Sequence, residues 1–414
     1  MTIGFLHVGP EQHGVVRYGR MLAEAARTHL DADVLDAARD LHGTRDAAAD
    51  RLRTAVRALA PADVVHLQYN ERVWGNADAA AHIRTVFETC NAPVVATLHD
   101  VRKRYGWRGI GRRTWARRTA SVPSLVTPTG RRAPSGGDTD RATGLWASLE
   151  RAGRYVWKEW QNTRATKHLA RRAAQVLVCT REEARRLRGL APADAVTVIP
   201  HFVEDRSFDI TPDEAKSAIS LAGQRVCTVL GFVHRAKGHA LVVEAMPHWP
   251  DDVHVVFAGR PAVGSADFAR RLEERAAQLE VARRLRITGY LDEKTLDRHL
   301  AATDLALCPF EEVSASGSLA TWIAAERPIL ASEQPQIAEY NAMAAGAIAT
   351  FAPYAPEALA TAALAQLAGA SDAGRAARTQ LRERLALSHI IQEHAVVYRA
   401  AAAGKAPPTH SHIA

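Results

Sequence analysis

Short apolar, β-branched runs alternate with stretches of helical spacing along most of the chain. "TIGFLHV" (Thr2 to Val8) has the continuous apolar character of a strand buried on both faces. After a loop holding Gly9 and Gly14, "VVRYGRMLAEAARTH" carries apolar residues at helical intervals. "DVVHLQYN" (Asp63 to Asn70) and "PVVATLHD" (Pro93 to Asp100) are further β-branched runs that end in polar residues; "AAQVLVCT" and "AVTVIPHF" repeat the form near Ala173 and Ala195. This alternation predicts parallel βαβ units in a doubly wound α/β sheet, with ligands beyond the carboxyl ends of the strands. His66, Gln68, His99 and Asp100 are expected at such ends, where a site would be.

The alternation lapses between Arg102 and His168. "TASVPSLVTPTGRRAPSGGDTD" is rich in Pro, Gly, Ser and Thr and reads as a loop. Trp146, Tyr155, Trp157 and Trp160 then recur at helical spacing, a stripe that more often packs a core than binds a ligand. Loop and helix together form an insertion over about 102–168, beside the working edge of the first sheet. "VIPHFVEDRSFDITPDEAKSAI" reads as a linker and a new start, and from Arg225 the strands "RVCTVLGFV", "HVVFAGR", "RLRITGY", "LALCPF" and "PILAS" follow with helices between them. The organisation expected is two Rossmann-like domains, 1–200 and 201–385, facing a central cleft. A last helix pattern, Arg382 to Ala402, is expected to return to the first domain, with 386–414 as closing helix and tail.

Composition narrows the class. A chain of 414 residues, 47% hydrophobic and 24% charged, is globular and long enough for two or three domains. No apolar run approaches the roughly 20 residues of a membrane span. "MTIGFLHVGPEQ" lacks a basic leader and a long apolar segment, and Cys90, Cys179, Cys227 and Cys308 never form a Cys-x-x-Cys pair. Together these features point to a reducing cytoplasm, without zinc or disulfide frameworks. The net charge of +8 is local: "VRKRYGWRGIGRRTWARR" (Val101 to Arg118) holds eight basic residues and no acid. Such a run is either a solvated loop or a contact for phosphates or the inner face of a membrane. No nucleic-acid motif accompanies it, so nucleic acid is not the expected partner.

Two turns carry candidate chemistry. In "VLGFVHRAKGHALVVEAM" a strand ends at Gly231, a basic turn with Arg235 and Lys237 follows, and a helix begins near Gly238. Cations beside a helix N-terminus favour a phosphate there. In "LALCPFEEVSASGSLATWIAAERP" the chain again runs from strand through a glycine turn to a helix, with Ser314, Ser316, Gly317 and Ser318 at its start. Alone, that turn reads as an N-cap, and it lacks the Gly-Lys-Ser/Thr ending of a Walker loop. Set on neighbouring strand ends, the two turns together suit a diphosphate.

The ordered series of these segments resembles the GT-B glycosyltransferases of the family 4, retaining, nucleotide-sugar-dependent type. It runs from the Gly14 loop through "DVVHLQYN", "PVVATLHD", "VIPHFVE", "GFVHRAKGHALVVEA", "VVFAGRP", "ITGYLDEKTLDRHLAATDLALCPF" and "SGSLATWIAAERPILAS". It covers nearly all of 1–370 apart from the insertion. The resemblance implies metal-independent transfer of a sugar from a nucleotide-diphosphate donor to an acceptor hydroxyl with retention, the nucleotide sugar being co-substrate and no cofactor being needed. Arg235 and Lys237 would grip the diphosphate, and Gly231 would be among the donor-binding residues. Ser316, Gly317 and Ser318 would face the distal phosphate, and Gly289, Tyr290 and Leu291 the nucleobase. Gly14 would close over the donor phosphate, His99 would face the transferred sugar and the acceptor, a small molecule, saccharide or lipid-linked compound, and His66, Gln68 and Asp100 would lie on the acceptor side.

The chain departs from the family at a pair of glutamates eight residues apart, where Val313 and Thr321 stand instead. Glu311 and Glu312 lie just before the pair and would substitute for it by a small shift of the loop, while Thr321 stands in place of the glutamate that binds the nucleotide ribose in the family; Glu312 and Thr321 are expected among the donor-binding residues. Two other readings on the same architecture are a sugar-nucleotide epimerase and a non-catalytic nucleotide-sugar or polyanion-binding protein.

Overall fold

The computed structural model describes residues 1–11, 13–99, 101, 164–313, 315–369 and 372–407. Asp100, Ser314, the basic run after Val101, the aromatic stripe and the end of the tail lie outside the described residues.

The first domain comprises β1 (Thr2–Val8), α1 (Gly14–His29), β2 (Asp33–Arg39), α2 (Arg45–Ala58), β3 (Val64–Tyr69), α3 (Ala79–Thr89), β4 (Val94–Leu98), α4 over 164–172, β5 (Gln175–Val178), α5 (Arg181–Arg186) and β6 (Val196–Val198). Its six strands are parallel, in the order β2-β1-β3-β4-β5-β6. Every residue of β3 and β4 is buried, as expected of strands covered by helices on both faces. α1 lies unusually close over them: a Cβ on Gly19 would stand 2.8 Å from His7 Nδ1 and 2.9 Å from Gln68 Cγ.

The second domain comprises α6 (Pro212–Ala218), β7 (Arg225–Leu230), α7 (His239–Ala245), β8 (Val253–Ala258), α8 (Ala266–Gln278), β9 (Leu285–Ile287), α9 (Glu293–Ala302), β10 (Leu305–Cys308), α10 (Gly317–Ala324), β11 (Ile329–Ser332), α11 (Pro335–Met343), β12 (Ala349–Phe351), α12 (Pro356–Ala368) and α13 (Asp372–Arg384). α6 starts with a capping box, in which Thr211 and Glu214 satisfy each other's backbone and Pro212 sits in the first turn. The strand order is β12-β11-β10-β7-β8-β9, again parallel. The order therefore reverses between β1 and β3 in one sheet and between β7 and β10 in the other. Those switch points are where open α/β sheets leave a crevice.

α14 (Leu387–Ala402) belongs to the first domain's core. Ile390, Ile391, Val397 and Tyr398 pack on Ile3, Phe5, Tyr18 and Leu22. At about 1.5–3 kcal/mol for each large apolar side chain buried, this contact is enough to hold the helix in place. The chain crosses between the domains twice, and the crossings touch where Val203 N donates to Leu385 O at 2.8 Å.

Candidate active site

At the switch point of the second sheet, β7 leaves through Gly231 (φ +105°) and a single 3-10 turn, Arg235–Lys237, leads into α7. The Lys237 side chain folds back over Gly231. Its Nζ donates to Leu230 O at 3.0 Å and to Ser318 Oγ, and lies 5.5 Å from the Phe310 ring centre. A Cβ on Gly231 would stand 3.0 Å from that Nζ, so the close approach depends on glycine. Burial pushes the Lys237 ammonium down to about 8. Among the described residues no carboxylate pairs with it, and its partners are a carbonyl and a hydroxyl. A buried cation with only neutral partners is short of negative charge, which a bound anion would supply. Arg235 is exposed beside it, its guanidinium 5.6 Å from the Phe268 ring centre, and among the described residues it too has no carboxylate partner.

The turn after β10 faces this cation. Ser316 caps α10, its Oγ accepting from Leu319 N at 3.3 Å and lying 3.0 Å from Ser318 Oγ. Among the described residues the N–H groups of Gly317 and Ser318 find no acceptor. They add two free donors at the positive end of a helix to the Lys237 ammonium. The two turns are locked together: Glu311 N donates to Ala236 O at 3.1 Å, and Gly238 (φ +76°) packs so tightly on β10 that a Cβ would lie 1.9 Å from Pro309 O.

Apolar side chains stand exposed along the same edge. Tyr290, just beyond β9, is 79% exposed and Phe232, just beyond β7, is 52% exposed, with the Arg260 guanidinium 5.5 Å from its ring. Gly289 turns the chain ahead of Tyr290, whereas Leu291 packs inward on the core. Thr321 turns its hydroxyl back to Gly317 O at 2.9 Å, so at this position the chain offers a methyl-bearing residue engaged with its own helix and no carboxylate. Glu312 is half-buried in the loop after β10.

In the first domain His99 sits half-buried just past β4. Tyr18 stacks edge-on against it at 4.9 Å and against His201 at 4.8 Å. Burial, with the His201 and His13 charges, pushes His99 down to about 3, so it is neutral at physiological pH. His13 caps α1 through Val15 N at 3.2 Å, and Gly14 opens that helix at an exposed position with nothing within 4 Å of where a Cβ would be.

His66 does not reach a strand end. It is the third residue of β3, 0% exposed, bonded to Thr97 and Tyr398 inside the sheet-helix layer. Its polarity at the sequence level marks a satisfied buried group, not an acceptor contact. Gln68, two residues on and on the same face, is also buried, but its Oε1 accepts from His99 Nε2 at 2.9 Å. Tyr18, His201 and Arg72 are three further residues near the site that carry no motif in the sequence. Tyr18 lies one turn into the helix that follows the Gly14 loop, a spacing that could have found it. Burial, then the Lys237 charge and last the charge of Arg72 from beyond β3, lower the His234 pKa; no local pattern marks Arg72.

Residues 223–368 match the family model described as glycosyl transferases group 1. No curated protein matches the chain in sequence. Solved structures match it over nearly its whole length. Anabaena Alr3699/HepE in complex with UDP is 14% identical, with 95% of this chain and 98% of that one covered and a TM-score of 0.65. Sucrose-phosphate synthase from Thermosynechococcus elongatus is 16% identical, with 96% and 98% covered and a TM-score of 0.65. A glycosyltransferase from Rickettsia africae is 15% identical, with 97% and 98% covered and a TM-score of 0.64. These likenesses confirm the two-sheet GT-B fold.

Proposed function

We propose that the protein transfers a sugar from a nucleotide-diphosphate donor to an acceptor hydroxyl, with retention at the anomeric carbon. The observation that carries this reading is the buried Lys237 ammonium, whose only polar partners among the described residues are a carbonyl and a hydroxyl, set against the free N–H groups that open α10. The match of residues 223–368 to glycosyl transferases group 1 supports the same chemistry. HepE is also solved with UDP-glucose, which makes a uridine diphosphate sugar the first donor to test.

In this mechanism the diphosphate lies between the basic turn and the α10 N-terminus. The acceptor oxygen forms its bond to the anomeric carbon on the face from which the diphosphate leaves. The bond to the phosphate oxygen breaks with its electron pair on that oxygen, and the acceptor proton passes to it. Lys237, Arg235 and the N–H groups of Gly317 and Ser318 stabilise the charge that develops there. This is electrostatic work done by the chain's own cations and dipoles, so the proposal requires no metal. Neutral His99 offers a hydrogen bond to a sugar or acceptor hydroxyl, and Tyr290 offers a ring face to the base.

Lys237→Ala should lower transfer at least a hundredfold, on the order of what losing one such donor costs, while thermal stability stays near wild type. NMR of the product should show the anomeric configuration of the donor. Turnover unchanged in Lys237→Ala would remove the catalytic assignment, and an inverted product would remove the retaining mechanism.

A further inference from the structure

Behind His99 a line of polar groups runs through the interior of the first domain to the C-terminal helix. His99 Nε2 bonds Gln68 Oε1 at 2.9 Å, Gln68 Nε2 bonds His66 Nε2 at 3.2 Å, and His66 Nδ1 bonds Tyr398 Oη at 2.7 Å. Thr97 Oγ1 also meets His66 Nε2, at 2.8 Å. Gln68, His66, Thr97 and Tyr398 are all buried, at 2%, 0%, 2% and 0% exposure. Burial and the neighbouring His394 hold His66 well below the usual histidine range, so it too stays neutral. Three elements, β3, β4 and α14, thus spend buried polar groups on one line that ends at the cleft. Apolar side chains would fill that layer without the need to satisfy any hydrogen bond.

As the Gln68 carboxamide stands, its oxygen faces His99 and its nitrogen faces His66. A carboxamide oxygen only accepts, so His99 carries its proton on Nε2. A carboxamide nitrogen only donates, so His66 Nε2 is the acceptor and Nδ1–H of His66 donates to the Tyr398 oxygen. The other nitrogen of His99, Nδ1, makes no hydrogen bond among the described residues.

We propose that Gln68, held in orientation by His66, Thr97 and Tyr398, is a positioning residue that fixes the tautomer of His99 and presents Nδ1 to the cleft as a hydrogen-bond acceptor. The partner it selects is a hydroxyl donor. Under the proposed function, on which only this identity rests, that is a hydroxyl of the transferred sugar or of the acceptor. The histidine is neutral and aimed, so the line aligns a substrate hydroxyl and does not take up a proton. It also makes α14, the last helix of the chain, part of the site's support although it touches no substrate.

The test uses the full-length protein labelled with ¹⁵N at histidine, and needs no substrate. In the wild type, long-range ¹H–¹⁵N spectra should show His99, assigned by its loss in His99→Ala, as the Nε2–H tautomer. Gln68→Met keeps the shape and removes both hydrogen bonds, and it should convert His99 to a mixture of tautomers. Tyr398→Phe removes a single oxygen from the far end and should shift the His99 signals in the same direction while circular dichroism stays unchanged. A wild-type Nδ1–H tautomer, or His99 signals indifferent to both variants, overturns the proposal and leaves the proposed function standing.

Kinetics give a second readout. Tyr398→Phe should lower kcat on the order of tenfold with KM little changed, by the logic through which outer partners orient a metal-bound imidazole. In a His99→Ala background the same change should cost nothing more. Additive losses would mean that Tyr398 acts on stability and not through His99.

Discussion

Lys237 is where the site's electrostatics are concentrated. Its ammonium gains two neutral oxygens and an aromatic ring but no carboxylate among the described residues, and burial lowers its pKa to about 8. The charged form exists below that value and is lost above it, so affinity for a nucleotide diphosphate should fall as pH rises through about 8. The loss should approach tenfold per unit once the free protein is mostly neutral at this position. Isothermal titration from about pH 7 to about pH 10 reads this directly, since the phosphates keep their charge across the range. A flat Kd would mean that the ammonium is not what holds the phosphate. Arg235 and Lys237 were legible in the sequence as a basic pair at a strand end, but what separates them was not. One is exposed and the other reaches inward, because only the inward path passes over the bare backbone of Gly231. His66 shows the opposite error: a histidine in an apolar strand looks functional in the sequence, yet its partners Thr97 and Tyr398 come from distant segments that no local pattern joins to it.

The two turns of the donor edge work as one element. The Glu311–Ala236 backbone bond and the seat of Gly238 on Pro309 fix the distance between the Lys237 cation and the α10 N-terminus. Gly238→Ala would force a Cβ into Pro309 O and a side chain into φ +76°, so it should destabilise the domain by about 3 kcal/mol or more. Denaturant unfolding checks this, and a variant as stable as the wild type would show that the two turns are not locked. Elements buried on both faces were readable: β1, β3, β4 and β10 are mostly apolar and β-branched runs broken by few polar residues, and the sequence carries them plainly. Of the edge strands, β6 and β9 were readable too, but β2 and β12 were not. "DVLDAAR" of β2 is half-exposed and mixes acids with apolar residues, and β12 has three residues. Each is held by one neighbour, so pairing rather than sequence pattern makes it a strand. The single helix expected from Arg382 to Ala402 is broken at Leu385 and Ala386, where the linker residue Val203 pairs with the chain.

At the scale of the whole molecule, polar contacts cross between the two domains. Arg17 on α1 reaches Glu293 at the start of α9 at 3.1 Å and Glu204 in the linker at 2.8 Å, while Glu339 on α11 accepts from Arg181 N at 2.8 Å and Glu182 N at 3.2 Å. The exposed Arg17 ion pairs each contribute about 0–1 kcal/mol, so they leave room for a bound ligand to add to the stability. A donor bound between the Lys237 turn and the α10 N-terminus should therefore stabilise the whole chain by mass action. The most direct measurement is thermal unfolding with and without UDP-glucose, then GDP- and dTDP-sugars, in the wild type and in Lys237→Ala. The account predicts that at a hundredfold excess over Kd one of these donors stabilises the wild type by about 2.7 kcal/mol, and that Lys237→Ala, equally stable without ligand, loses most of that gain. A wild type indifferent to every donor, or a Lys237→Ala variant stabilised as much as the wild type, would contradict it.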